Sequence, residues 1–145
     1  MTVYEMRTYT LHVGKMAEAV KLYSEFGYPA LEKGGQAKKL VGYFIADTGM
    51  INQLVHLWKF DDDADRRAHW ASVFANKDFV EGFAVKFRPL LASQEVKLLT
   101  AAPWGPHPCA PSSLARHSST RRSAHAAFED RRVPRPPPPD PRAPP

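Results

Sequence analysis

Twelve of the fourteen prolines in this 145-residue chain lie from Pro103 to the C-terminus. Proline fixes its own φ and has no backbone N–H, so "RRVPRPPPPDPRAPP" and the segment leading to it cannot form the interior of a helix or sheet. The folded domain is therefore expected to be residues 1–102, and 103–145 to be a disordered Pro/Arg-rich tail of polyproline II character. A domain of about 100 residues buries roughly two-thirds of its unfolded surface. That is enough for one core, with little to spare. The tail reads as a ligand for proline-recognising domains, as a weak polyanion binder through its arginines, or as an extension without a role, such as an out-of-frame gene end. The role-free readings rank first.

Charge divides at the same point. From Pro103 onward there are seven arginines, no lysine and three acids, so most of the formal +5 belongs to the tail. A near-neutral folded part lacks the clustered Lys and Arg of a nucleic-acid groove, and no nucleic-acid partner is expected. The single cysteine, Cys109, cannot close an intramolecular disulfide or build a thiolate metal cluster. "MTVYEMRTYTL" lacks the basic and apolar pattern of a cleaved signal. No stretch approaches eighteen consecutive apolar residues, so no membrane span is expected.

Periodicity gives six elements. "TVYEMRTYTL" is rich in Val, Thr and Tyr and reads as a strand. After Gly14, the residues Met16, Ala19, Val20, Tyr23 and Phe26 recur at helical spacing. This helix is disturbed at Pro29 and ends at Gly34 and Gly35. "KLVGYFIAD" and "MINQLVHLWKF" read as two strands of a hairpin joined at Thr48 and Gly49. Asp61, Asp62 and Asp63 then offer N-caps for a second helical region carrying Trp70, Phe74, Phe79, Phe83 and Phe87, which Pro89 stops. "SQEVKLLT" is the last strand. The order βαββαβ is that of an α+β, ferredoxin-like antiparallel sheet with helices on one face.

Alternation in the third strand sets Met50, Asn52, Leu54, His56, Trp58 and Phe60 on one side, and Ile51, Gln53, Val55, Leu57 and Lys59 on the other. Both sides are largely apolar, whereas a strand half exposed to water alternates more cleanly. A second copy of the same sheet is the simplest cover, giving a homodimer through the sheet face.

Taken together, "YEMRTYTLHVGK", "LVGYFIADTGMINQLVHLWKF" and "DRRAHWA" resemble the NIPSNAP family over about residues 2–104. The resemblance implies a dimeric α+β barrel and little chemistry, since no reaction is firmly established for the family. It also implies protein interactions: animal members are mitochondrial and associated with mitophagy, while related barrels include cofactor-independent monooxygenases and haem-degrading enzymes. His69 and Trp70 depart from a region that is commonly arginine-rich in the family, which weakens any anion or partner contact carried over from those arginines. The missing arginine-rich presequence points to a bacterial-type, cytoplasmic form.

The candidate site residues are His56, Arg7, Tyr9, Tyr43, Asn52 and Trp58. Imidazole, with a reference pKa of about 6.5, suits a general base, and His56 is the catalytic candidate. Its structural alternative is a hydrogen bond inside a polar notch. Trp58 offers a flat face for a planar ligand, against a place in the core or dimer interface. Asn52 would orient a carbonyl or satisfy backbone groups after the hairpin. On the first strand, Glu5, Arg7 and Tyr9 share a face. Arg7 would bind a carboxylate with help from Tyr9 or Tyr43, or pair with Glu5 to fix register.

Metal spacings, nucleophile elbows and phosphate loops do not occur, so no metal or cofactor is assigned. The leading expectation is a non-catalytic binding or scaffolding homodimer with a small-molecule ligand or a partner protein. The alternative is a cofactor-independent monooxygenase or isomerase acting on a small aromatic or carbonyl compound. An enzyme requires an open cavity of a few hundred cubic ångströms reaching His56, whereas a scaffold does not.

Overall fold

The computed structural model describes residues 1–110, and the proline-rich tail beyond lies outside the described residues. Four antiparallel strands form one sheet: β1 (Val3–Leu11), β2 (Leu40–Ile45), β3 (Gln53–Phe60) and β4 (Leu91–Thr100), in the order β2-β3-β1-β4. This is the α+β, ferredoxin-like arrangement expected from the element order. Both crossovers are helical and lie on one face of the sheet.

The first crossover runs from α1 (Met16–Leu22) through a π-helical turn (Tyr23–Gly27) into α2 (Tyr28–Lys33). Pro29 lies in the first turn of α2, directly after the π-turn, where the helical run departs from regular α geometry next to the N–H that proline lacks. The second crossover is α3 (Asp63–Ala75), α4 (Lys77–Phe79), a second π-turn (Val80–Ala84) and α5 (Val85–Phe87). Of the three candidate aspartates, Asp62 is the N-cap of α3, its carboxylate accepting from the Asp65 N–H at 2.8 Å. The two π-turns meet where the Tyr23 and Phe83 rings stand 4.4 Å apart. Gly27 allows this approach, since a Cβ there would lie 2.9 Å from the Phe83 ring.

The β2–β3 connection is longer than the sequence suggests. It spans residues 46–52, because Gly49 (φ 75°) and Asn52 (φ 62°) both adopt left-handed backbone that no strand accommodates. Met50 and Ile51 consequently project into solvent instead of extending β3.

Register decides what faces what. Glu5 pairs with Trp58, Arg7 with His56 and Tyr9 with Leu54 on the β1–β3 ladder, and Tyr43 pairs with His56 on the β2–β3 ladder. All of these side chains point toward the helices. One core cluster gathers Tyr9, Leu11, Leu54, Phe83 and Phe87, and the other Leu31, Leu40, Trp58, Phe60 and Val73. The side carrying His56 and Trp58 is thus closed by the chain's own helices. It is not free to be a dimer interface, and the face open to a second copy is the opposite one, with Met6, Val55 and Leu57.

At one end of that opposite face the chain beyond β4 folds back. Tyr4 Oη donates to the Pro108 carbonyl at 3.0 Å, and Tyr4 is 5% exposed. No helix among the described residues is long and apolar enough to cross a membrane.

Candidate functional site

His56 is enclosed by three tyrosines, with ring centroids 4.4 Å from Tyr43, 4.8 Å from Tyr9 and 5.2 Å from Tyr23. Each comes from a different element: β2, β1 and the first π-turn. Strand pairing brings the first two beside His56, and the π-turn swings Tyr23 over the top. On the β2 side of this cage lies a cavity of about 300 Å³ whose wall includes Tyr23, Tyr28, Tyr43, Leu54 and His56. It is largely apolar. Tyr43 helps to wall it, and its hydroxyl is buried without a hydrogen-bond partner among the described residues. An uncompensated buried hydroxyl costs stability.

Burial sets the protonation states. His56 is 3% exposed, and desolvation, followed by the nearby Arg7 charge, lowers its pKa to about 3. Burial pushes the Tyr43 phenol well above its usual range, with Tyr9 and Tyr28 adding to the effect. Near neutrality the cavity therefore presents a neutral imidazole and a neutral phenol.

Arg7 and Tyr9 sit on the other side of the cage. Glu5 is fully buried and holds three donors: its Oε1 accepts from Arg7 Nε, and its Oε2 accepts from Arg66 Nη1 and Trp70 Nε1, both at 3.1 Å. The Arg7 guanidinium stacks 3.7 Å above the Trp70 ring, and its Nη1 reaches Tyr9 Oη at 3.4 Å. The ion pair foreseen on β1 is thus present as a larger network anchored in α3. Arg66 also pairs with Asp63, in the first turn of the same helix.

The remaining two candidates have structural surroundings. Trp58 is 1% exposed and contacts His69 (5.0 Å) and Trp70 (5.3 Å). Asn52 lines neither side of the cage. Its carbonyl accepts the Leu11 N–H at 2.8 Å, and its left-handed backbone ends the loop. The structure therefore separates six candidates into His56 and Tyr43 at one cavity, Arg7 and Tyr9 across the ring wall, Trp58 in the core and Asn52 in the turn.

Residues that the pattern did not single out for a site are Tyr23, shared by both sides, and Glu5, Arg66 and Trp70, which orient Arg7. Tyr23 carried only a helical-periodicity signal. "DRRAHWA" shows charges beside a tryptophan but not their partner on β1. Among the described residues, no group of three His, Cys, Asp or Glu side chains is placed to hold a metal ion.

The histidines make a pH prediction. His69, which is 8% exposed, has its pKa lowered to about 4, chiefly by burial. Both folded-state values lie below the unfolded reference of about 6.5, so the unfolded chain binds more protons in the window between. Stability is intact above that reference and falls as pH drops toward 4. The slope reaches about 1.4 kcal/mol per pH unit for each histidine. Urea unfolding between pH 7 and pH 4.5 will show this slope, and His56→Leu will reduce it by about one proton's worth. An unchanged slope in that variant would assign the acid sensitivity elsewhere.

The arrangement has counterparts. The NIPSNAP family model matches residues 4–106. Protein NipSnap homolog 3B of Mus musculus is 27% identical over 104 residues, which are 71% of this chain and 40% of the relative. Protein NipSnap homolog 3A of Homo sapiens is 28% identical over 102 residues, 70% of this chain and 40% of the relative. The chain thus spans about 40% of the length of the curated relatives it matches. Among solved structures, an uncharacterised NIPSNAP-like domain protein from Burkholderia xenovorans superposes with a TM-score of 0.67 at 28% identity, covering 75% of this chain and 92% of that one. A NIPSNAP family protein from Agrobacterium tumefaciens gives 0.66 at 26% identity, covering 72% and 89%. With sequence and fold in agreement, the chain belongs to the NIPSNAP family.

Proposed function

We propose that this domain is a non-catalytic homodimeric binding protein that takes a small neutral apolar molecule bearing a carbonyl or hydroxyl oxygen into the cavity beside His56. The observation that carries this reading is an apolar cavity of about 300 Å³ walled in part by Tyr43, whose hydroxyl is buried without a hydrogen-bond partner among the described residues. Pockets of that size enclose small ligands, and one well-placed polar group fixes their orientation. With its phenol neutral, Tyr43 donates to a ligand oxygen. The walls reject charge, because no cation or carboxylate is among the described residues lining this cavity.

Binding is favoured over catalysis by the protonation state of His56. A general base works best with a pKa near the operating pH, and one held at about 3 is a poor proton acceptor. The dimer rests on the opposite face. Met6, Val55 and Leu57 are half-buried there and Phe44, which pairs with Val55, is exposed, an apolar surface that a second sheet would cover.

Native mass spectrometry of the protein purified from its own cells tests both parts. The expected spectrum shows twice the chain mass with a retained neutral adduct. In Tyr43→Phe the adduct's affinity should fall by about three- to tenfold, as one lost hydrogen bond predicts. A bare monomer, or a ligand held equally well without the hydroxyl, would sink the reading. Turnover of the released compound would remove its non-catalytic half.

A further inference from the structure

A second hollow lies across the ring wall from the Tyr43 cavity, on the β4 side, with a volume of about 170 Å³. Its lining differs in kind. Arg7 and Arg88 both border it, together with Gln94 and a set of aromatic rings that includes Tyr9, Trp70 and Phe87. No acidic side chain is among the described residues that line it. Glu5, the carboxylate that balances Arg7, approaches from outside the hollow and occupies only the Nε edge of the guanidinium. Nη1 has one long contact, with Tyr9 Oη at 3.4 Å, and Nη2 makes no hydrogen bond among the described residues. Arg88 is exposed and forms no ion pair among the described residues.

These features belong together chemically. A guanidinium whose position is fixed on one edge by a buried carboxylate and on one face by an indole ring is pre-organised. Its other edge presents parallel N–H groups at the spacing of a carboxylate's two oxygens. Held so, it loses little side-chain entropy on binding an anion. The aromatic walls supply the apolar complement, and the volume sets the size. An apolar cavity of about 150 Å³ accommodates a benzene-sized ring, so this hollow takes one ring with its acid group directed to the arginines.

We propose that this cleft is a binding site for a small aromatic monocarboxylate, with Arg7 and Arg88 binding the acid group and the ring lying among Tyr9, Trp70 and Phe87. The site is separate from the Tyr43 cavity, which takes neutral ligands. Trp70 at the wall provides a fluorescence signal, and Arg88, being exposed and without an ion pair among the described residues, can be changed without disturbing the buried network.

The test uses phenylacetate and its uncharged isostere phenylacetamide on the full chain, followed by tryptophan fluorescence and calorimetry. Phenylacetate should bind and phenylacetamide should bind at least about tenfold more weakly, since a charge-assisted pair is lost. Arg88→Gln should weaken phenylacetate several-fold and leave the thermal unfolding midpoint in place, while Tyr43→Phe should leave phenylacetate affinity unchanged. Absence of phenylacetate binding, equal binding of acid and amide, or insensitivity to Arg88→Gln would each overturn the proposal. Loss of phenylacetate binding in Tyr43→Phe would also overturn it by placing the acid in the other cavity. The first three outcomes leave the reading of the Tyr43 cavity as a site for neutral ligands untouched, since its own test is the retained adduct, whereas the last would overturn both readings.

Discussion

Replacing Glu5 with Ala will destabilise the domain by about 3–5 kcal/mol, the range for breaking a buried ion pair from one side. The carboxylate is fully buried and satisfies Arg7, Arg66 and Trp70 at once. Without it, the Arg7 side chain, 14% exposed, keeps its charge inside the protein with only the Trp70 ring and the Tyr9 hydroxyl for company. The desolvation already incurred by the arginine is then no longer offset. Glu5→Gln retains an acceptor of the same shape and should cost visibly less. Urea denaturation with an unchanged m-value measures both. A loss under about 1 kcal/mol for Glu5→Ala would show that α3 is docked on the sheet by its apolar contacts alone. The same change also frees Arg7 from its fixed orientation, so any anion affinity of the cleft should weaken along with stability.

The second large effect is expected at Trp58. Its side chain is 1% exposed and fills the core between Leu31, Phe60 and Val73, with His69 and Trp70 edging its ring. Trp58→Ala should cost about 3–5 kcal/mol, combining lost transfer energy with the cavity left behind. Trp58→Phe should cost much less. The indole Nε1 is a buried donor without a hydrogen-bond partner among the described residues, so removing it relieves one penalty while the smaller ring adds another. Thermal unfolding and sedimentation of Trp58→Ala separate the roles first weighed for this residue. Stability lost with association retained identifies a core residue. Equal stability with a changed ligand or subunit association would refute the packing argument.

Much of the architecture was legible because periodicity and punctuation agree along the chain. The alternation in Val3–Leu11, the helical spacing after Gly14, the aspartates before α3 and the proline at 89 each bound an element for a local reason. The boundaries that differ from the sequence reading have local causes too. The β2–β3 connection is longer because Asn52 takes a left-handed conformation that its identity permits but does not require. The two π-turns were not legible, since no residue type specifies an extra residue in a helical turn.

The site is a different matter. Alternation correctly grouped Glu5, Arg7 and Tyr9, and also Leu54, His56 and Trp58, because the side-chain period of a strand is a local property. Whether that face meets helices or a second subunit depends on how the crossovers return, and the helices take it. The division of the candidates also lies beyond local pattern. Tyr23 is separated from His56 by more than thirty positions, yet it is one wall of the cage that parts the Tyr43 cavity from the arginine cleft. The pKa of His56 follows from the same enclosure and is absent from its neighbours in sequence.

The sequence by itself determined the element order and the strand faces, and set Glu5 and Arg7 on one side of β1, since each depends on residues a few positions apart. Only the tertiary structure decided that His56 is a buried neutral ring, that Glu5 serves three partners and that two cavities of opposite character share one wall. Burial and electrostatic environment are set by side chains that meet only when distant elements pack.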